Sequence, residues 1–207
     1  MKELNSGYTI EDYTDMIDIT HDLTYMPIGW TGHLVGSRET VTALEQIYRV
    51  RPFRSILEFG FNSGWSSALF LTLFPECVVT SIEILQNETA KQGVKVLAER
   101  FPGRHSIVWA DSTRLSTGDL AGVRYDTAFI DGGHDPATVS ADIALSRLLG
   151  IRNFIFDDGN HPNVIPGIAQ HSDLVRVSQN PYAIIRYKDT GYREKGRQSS
   201  LDHYLIK

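Results

Sequence analysis

The stretch Ile56-Leu57-Glu58-Phe59-Gly60-Phe61-Asn62-Ser63-Gly64-Trp65-Ser66-Ser67 decides the fold. An apolar run carries the acidic Glu58 near its end, then turns through Gly60 and Gly64 into an apolar helix beginning near Trp65. Strand, glycine turn and helix N-terminus in immediate succession form a site for a nucleotide-like ligand. Glycines let the backbone approach a ligand closely, and the first helical turn offers N–H groups with no partner inside the helix.

Outward from this turn the chain alternates. Strands are predicted near 55–59, 78–83, 105–110, 125–130 and 152–157, with helices at 64–74, 87–100 and 136–149. Ala90, Val94, Leu97 and Phe101 share one face of the second helix, and Val139 and Ile143 one face of the third. Residues 112–124 are less regular and have room for a short helix. Such alternation implies βαβ units and a parallel sheet with helices on both faces. Residues 1–50 read as an N-terminal helical appendage, with Val41, Ala43, Leu44, Ile47 and Tyr48 at helical spacing before Pro52. Residues 173–178 and 182–188 alternate as strands, joined by Gln179-Asn180-Pro181. That joint is too short for a crossover helix, so an antiparallel hairpin is predicted. The expected fold is a single α/β domain: a doubly wound, mostly parallel seven-stranded sheet over 54–188, with residues 189–207 left as an unassigned tail.

The 207 residues suffice to bury a core without disulfides, and 42% apolar content is ordinary for a soluble protein. No run of roughly 18 apolar residues exists, so no membrane partner is expected. Met1-Lys2-Glu3-Leu4-Asn5 does not open a secretory signal. The lone cysteine, Cys77, reads as a small buried thiol, in keeping with a reducing, cytoplasmic setting. A net charge of −5 argues against a nucleic-acid partner. Arg186, Lys188, Arg193, Lys195 and Arg197 do gather near the C-terminus, but Asp189 and Glu194 interrupt them and a solvated tail accounts for them. A homo-oligomer is compatible with the sequence.

The turn carries a family resemblance. Glu58, Gly60, Gly64, Trp65 and Ser66 fit acidic-x-Gly-x-x-x-Gly-aromatic-Ser, and the reversed final strand fits the methyltransferase version of the sheet rather than a nicotinamide-binding one. The chain resembles the class I S-adenosylmethionine-dependent methyltransferases, and within them the catechol-type and macrolide-sugar O-methyltransferases. Asn62 stands where many methyltransferases have a middle glycine, a departure this group shares. The resemblance implies that Glu58, Gly60, Phe61, Asn62, Gly64, Trp65 and Ser66 cradle the cofactor. It gives Glu83, at the end of Val78-Val79-Thr80-Ser81-Ile82-Glu83, the ribose hydroxyls. That acid serves NAD equally well and does not separate the two cofactors. Asp111 and Ser112 fall where related enzymes approach the adenine, whereas Trp109 reads as core.

Two acidic strand ends follow. Asp131-Gly132-Gly133-His134 closes one buried strand and Asp157-Asp158-Gly159 the next. Both tips belong at the C-terminal edge of adjacent strands, near the switch point where open α/β sheets bind ligands. Carboxylates brought together repel unless a proton or cation sits between them, and oxygen-only ligands suit a hard ion. The resemblance implies Mg²⁺ held by Asp131, Asp157 and Asp158, with Asp131 also beside the cofactor. In the macrolide-sugar enzymes the segment reads Asp-Gly-x-His, which Asp131 to His134 match, making His134 the expected catalytic base. His161 is a reserve candidate. The alternative is that Asp157-Asp158-Gly159-Asn160 is a turn and helix cap only. Tyr25-Met26-Pro27-Ile28-Gly29-Trp30-Thr31-Gly32-His33 resembles the mobile lid of related enzymes, and plain packing serves as well for it. The expected activity is O-methylation of a small-molecule or sugar hydroxyl. A metal-independent methyltransferase and a cofactor-binding module without catalysis remain rivals.

Overall fold

The computed structural model of the chain describes residues 20–23, 25–27, 36–187 and 193–206, with backbone only for 181–187 and 193–199. Helix α1 (Arg38–Val50) starts where the Ser37 side chain accepts from the Thr40 N–H, with Glu39 in its first turn and Arg49 in its last, both suited to the helix dipole. It buries Val41, Ala43, Leu44 and Ile47. Strand β1 (Ser55–Phe59) leads through the glycine turn into α2 (Trp65–Leu73), which is apolar nearly all round and correspondingly buried. There follow β2 (Val78–Glu83), α3 (Glu88–Arg100), β3 (His105–Trp109), a 3-10 turn (Ser112–Arg114), β4 (Thr127–Ile130), α4 (Pro136–Leu148), β5 (Asn153–Phe156), the short α5 (Ile165–Ala169), β6 (Leu174–Tyr187) and β7 (Arg193–Ile206). Asp135 caps α4 by accepting from the Ala137 and Thr138 N–H groups, with proline at the first helical position.

The sheet has seven strands in the order β3-β2-β1-β4-β5-β7-β6. β1 to β5 are parallel, and β7 pairs antiparallel with both β5 and β6. The expected doubly wound, mostly parallel architecture is what the chain adopts. Successive residues of a strand face opposite sides, so Ile56, Phe129 and Ile155 join one core with α1, α2 and α3. Leu57, Phe59, Ile130, Phe154 and Phe156 join the other with α4 and α5. Strand order reverses between β1 and β4, which places a crevice above their C-terminal ends.

The hairpin differs from expectation. Gln179-Asn180-Pro181 does not turn: Asn180 pairs with Leu201 and Pro181 with Ser200 inside one continuous strand. β6 is the outermost strand, where a proline can face solvent without breaking a ladder hydrogen bond. Its partner is β7, drawn from the segment left unassigned in the sequence. The ladder absorbs its irregularity in shifts between Arg176 and Ser178 and between Ala183 and Ile185.

A buried polar chain fixes the register of β7. Asn153 Nδ2 donates to Thr127 Oγ1 at 2.7 Å, and Asn153 Oδ1 meets His203 Nε2 at 2.6 Å. Burial pushes His203 down to about 4, so the ring is neutral and Nε2–H donates to Asn153. Asn153→Ala strips both partners while leaving the His203 ring buried. We expect a loss of about 2–3 kcal/mol in urea unfolding, with an unchanged m-value.

Candidate active site

The glycine turn is built around close approach. Gly60 has φ +89°, and a Cβ there would collide with the Asp131 carbonyl oxygen. Gly64 has φ +87° and lies against the Phe61 ring, with the Met26 methyl 3.1 Å from where its own Cβ would be. Glycine alone meets both demands without strain. Asn62 also has positive φ, 52°, a conformation asparagine tolerates better than most residues.

Glu83 binds the turn from the tip of β2. Its Oε2 accepts from the Phe61 N–H at 3.0 Å and the Asn62 N–H at 2.7 Å, and its Oε1 from the Leu85 N–H at 2.7 Å. Beside it, Ile84 and Leu85 are exposed apolar side chains at the crevice rim. Phe61 is buried and stacks on His105 with ring centroids 5.2 Å apart. Burial pushes that imidazole down to about 4.

Glu58 lies beneath the turn, not on its surface. It is wholly buried, and the hydroxyls of Ser66, Ser67 and Ser81 donate to its carboxyl oxygens. Trp65 likewise faces inward: its Nε1–H donates to the Pro27 carbonyl at 2.8 Å, tying residues 25–27 to the start of α2. The part of the expected lid at 28–33, His33 included, lies outside the described residues. Asp111 caps the 3-10 turn, accepting from the Thr113 N–H and hydroxyl, and pairs with Arg114 at 3.3 Å. Those Thr113 bonds hold its carboxyl below the usual range. Ser112 follows it, half-buried.

Across the switch point the acidic tips meet. The Asp157 N–H donates to the Ile130 carbonyl at 3.0 Å, setting the ends of β4 and β5 side by side. Burial of the carboxyl raises Asp131 well above the ordinary carboxylate range, and the charges of Asp157 and Asp158 raise it further. Two like charges so close repel, which favours the neutral, protonated form of Asp131 beside Asp157. Asp158 has φ +54° and pairs through Oδ2 with His134 Nε2 at 3.1 Å. The His161 ring stands 5.4 Å from that of His134, centroid to centroid. Among the described residues no group of three or more His, Cys, Asp or Glu side chains is arranged to hold a metal ion. The donor chemistry itself, all carboxylate oxygen, suits a hard cation.

Two carboxylates went unmarked in the sequence reading. Asp142 on α4 and Asp202 on β7 are both buried, and Asp202 packs against Gly159 directly behind the acidic turn. An acidic residue beside Val139 and Ile143 on an apolar helix face was the available signal for Asp142. Nothing local marks Asp202, because only the antiparallel pairing of β7 with β5 brings it there, opposite Phe156.

The fold is a doubly wound, Rossmann-like α/β sheet whose last strand runs antiparallel. Residues 57–149 match a family model described as a methyltransferase domain. No curated protein matches the chain. Solved structures give fold-level likeness. One is described as "a putative RNA methyltransferase" from Pyrococcus horikoshii, with TM-score 0.61, 13% identity, and 94% of this chain and 95% of that chain covered. Another is "a putative caffeoyl-CoA O-methyltransferase" from Staphylococcus aureus, with TM-score 0.60, 16% identity and coverages of 96% and 90%. TrmK of M. capricolum, in complex with S-adenosyl-homocysteine, matches with TM-score 0.56, 13% identity and coverages of 79% and 67%. The likeness to these structures is one of fold. Among the described residues no helix is long and apolar enough to cross a membrane.

Burial lifts Glu58 to about 7, against the pull of its three serine bonds. The folded chain therefore holds this proton more tightly than the unfolded chain, whose value is near 4.5. The resulting stability is complete below pH 4.5 and is lost as pH rises through 7. Urea titrations of wild type and Glu58→Gln should diverge across that window by on the order of 3 kcal/mol, with the variant the flatter curve.

Proposed function

We propose that the protein is a S-adenosylmethionine-dependent O-methyltransferase acting on a hydroxyl of a small molecule or sugar, with His134 as general base. The observation that carries this reading is the pairing of His134 with Asp158 beside Asp131 and Asp157, at the edge of the same crevice as the glycine turn. Bound S-adenosylmethionine supplies a methyl group already activated by its sulfonium. The chain's own residues bind, orient and deprotonate. Gly60 to Gly64 leave room for close backbone approach, Glu83 offers acceptor oxygens to ribose hydroxyls, and Ile84 and Leu85 offer an apolar wall to the base. Asp111 and Ser112 close the adenine end.

His134 is arranged for proton transfer. A neutral ring that donates Nε2–H to Asp158 keeps its lone pair on Nδ1, and Asp158 stabilises the imidazolium that forms when Nδ1 takes a hydroxyl proton. Alignment of acceptor oxygen, methyl and sulfur within the crevice supplies a large share of the rate. Asp131, Asp157 and Asp158 would hold Mg²⁺, which supplies Lewis acidity toward the acceptor oxygen when bound. A metal-independent enzyme is the second reading, favoured by the lack of a metal-holding group among the described residues and by the burial that favours the neutral form of Asp131. Acidity of the chain supports a non-nucleic-acid acceptor, and its single cysteine supports a reducing, cytoplasmic setting.

Methyl transfer to a panel of hydroxyl acceptors, with and without EDTA, tests the reading. His134→Ala should lower turnover by about 10²–10⁴-fold while leaving the S-adenosylhomocysteine Kd within about twofold. Unchanged turnover would remove His134 from the chemistry. Full activity in excess EDTA would remove the metal and leave the second reading. Absence of calorimetric heat with S-adenosylhomocysteine would remove the activity altogether.

A further inference from the structure

Asp142 is a buried carboxyl outside the chemistry described so far. It is 1% exposed, and among the described residues neither carboxyl oxygen has a partner in full hydrogen-bond geometry. Buried polar groups are almost always paired, and a charged one left unpaired is costly. Such a group is expected where its partner arrives only in another state.

Its position names that state. Asp142 sits in α4, the helix that begins just after His134. Its Oδ2 lies 3.7 Å from where a Cβ of Gly132 would stand, so it faces the loop running from Asp131 to His134. On its other side is the 3-10 turn after β3, which packs on α4. The Ser112 hydroxyl on that turn lies near enough to favour the charged form but falls short of full hydrogen-bond geometry. Asp135 and Asp111 are the charged groups near it, both repelling, and burial outweighs all of these and lifts the carboxyl to about 7. Asp142 thus stands between the two loops assigned above to the adenine end and to the base.

We propose that Asp142 is a positioning residue: when the cofactor seats, the Ser112 hydroxyl donates to Asp142, locking the 3-10 turn against α4 and against the loop that presents His134. This inference rests on the methyltransferase reading. It adds a link between cofactor occupancy and placement of the base, carried by a residue that touches neither ligand. It also predicts an unusual signature, a substitution that stabilises the empty protein and weakens the loaded one. A static packing role would do the reverse.

The test uses the full chain, S-adenosylhomocysteine as probe, calorimetry and thermal unfolding. Asp142→Asn removes a buried charge at constant shape. Because the folded chain binds the Asp142 proton more tightly than the unfolded chain, the charge destabilises the fold increasingly from pH 3.8 to about 7. The variant should therefore raise Tm by several degrees at pH 8, with no gain near pH 4. Its S-adenosylhomocysteine affinity should fall about tenfold. Ser112→Ala should show a similar loss of affinity, and the double variant less than about twofold more than either alone. Undiminished affinity in Asp142→Asn, a lowered Tm at pH 8, or additive losses in the double variant would each overturn the inference alone. If Asp142→Asn does not fold, a packing role is shown and the inference falls. No binding by the wild type would overturn the methyltransferase reading and this inference with it.

Discussion

The site depends on one buried interaction, the Glu58 carboxyl under three serine hydroxyls. Ser66 and Ser67 come from α2 and Ser81 from β2, so a single side chain of β1 joins the three elements that surround the glycine turn. Ser81 Oγ also meets His105 Nε2 at 3.0 Å, carrying the connection to β3 and, through the stacked ring, to Phe61. A charge in this place would be severely penalised without such donors, and the donors would be unsatisfied without the carboxyl. The turn is thus held from beneath by a network and from above by Glu83.

The same economy governs the other half of the crevice. The glycine turn and the β4 tip touch, since Gly60 lies directly against the Asp131 carbonyl. Anything that moves Asp131 therefore presses on the glycine turn. Burial and the charges of Asp157 and Asp158 favour the neutral form of Asp131, while Asp158 accepts the strain of a left-handed backbone and faces His134. Strain and repulsion concentrate here while the buried polar groups of the sheet below, Asn153, Thr127 and Glu58 among them, are hydrogen-bonded, the usual division between a site and its scaffold.

Much of this was legible in the sequence because it is local. Hydrophobic periodicity located the parallel strands and the major helices. Positions at strand tips followed from strand ends, which placed Glu83, Asp131, Asp157 and Asp158 at the crevice. Contacts between distant segments were not legible. Gln179-Asn180-Pro181 has the composition of a turn, but a long antiparallel ladder overrode that preference on an edge where proline is tolerated. Glu58, Trp65 and Ser66 read as ligand-facing because the family pattern groups them with the glycines. Burial and hydrogen bonding turn them inward, and no local pattern reports on that. Asp202 is invisible for the same reason: its neighbour Gly159 meets it only through the register of β7 against β5.

That register has a consequence for the order of assembly. The parallel strands β1 to β5 can associate as soon as they are synthesised, since each pairs with segments already made. The acidic turn after β5 leans on Asp202, which emerges from the ribosome far later. A nascent chain can therefore possess its nucleotide-type crevice while the rim opposite still lacks its backing. The acidic rim therefore takes its final form only when β7 pairs with β5.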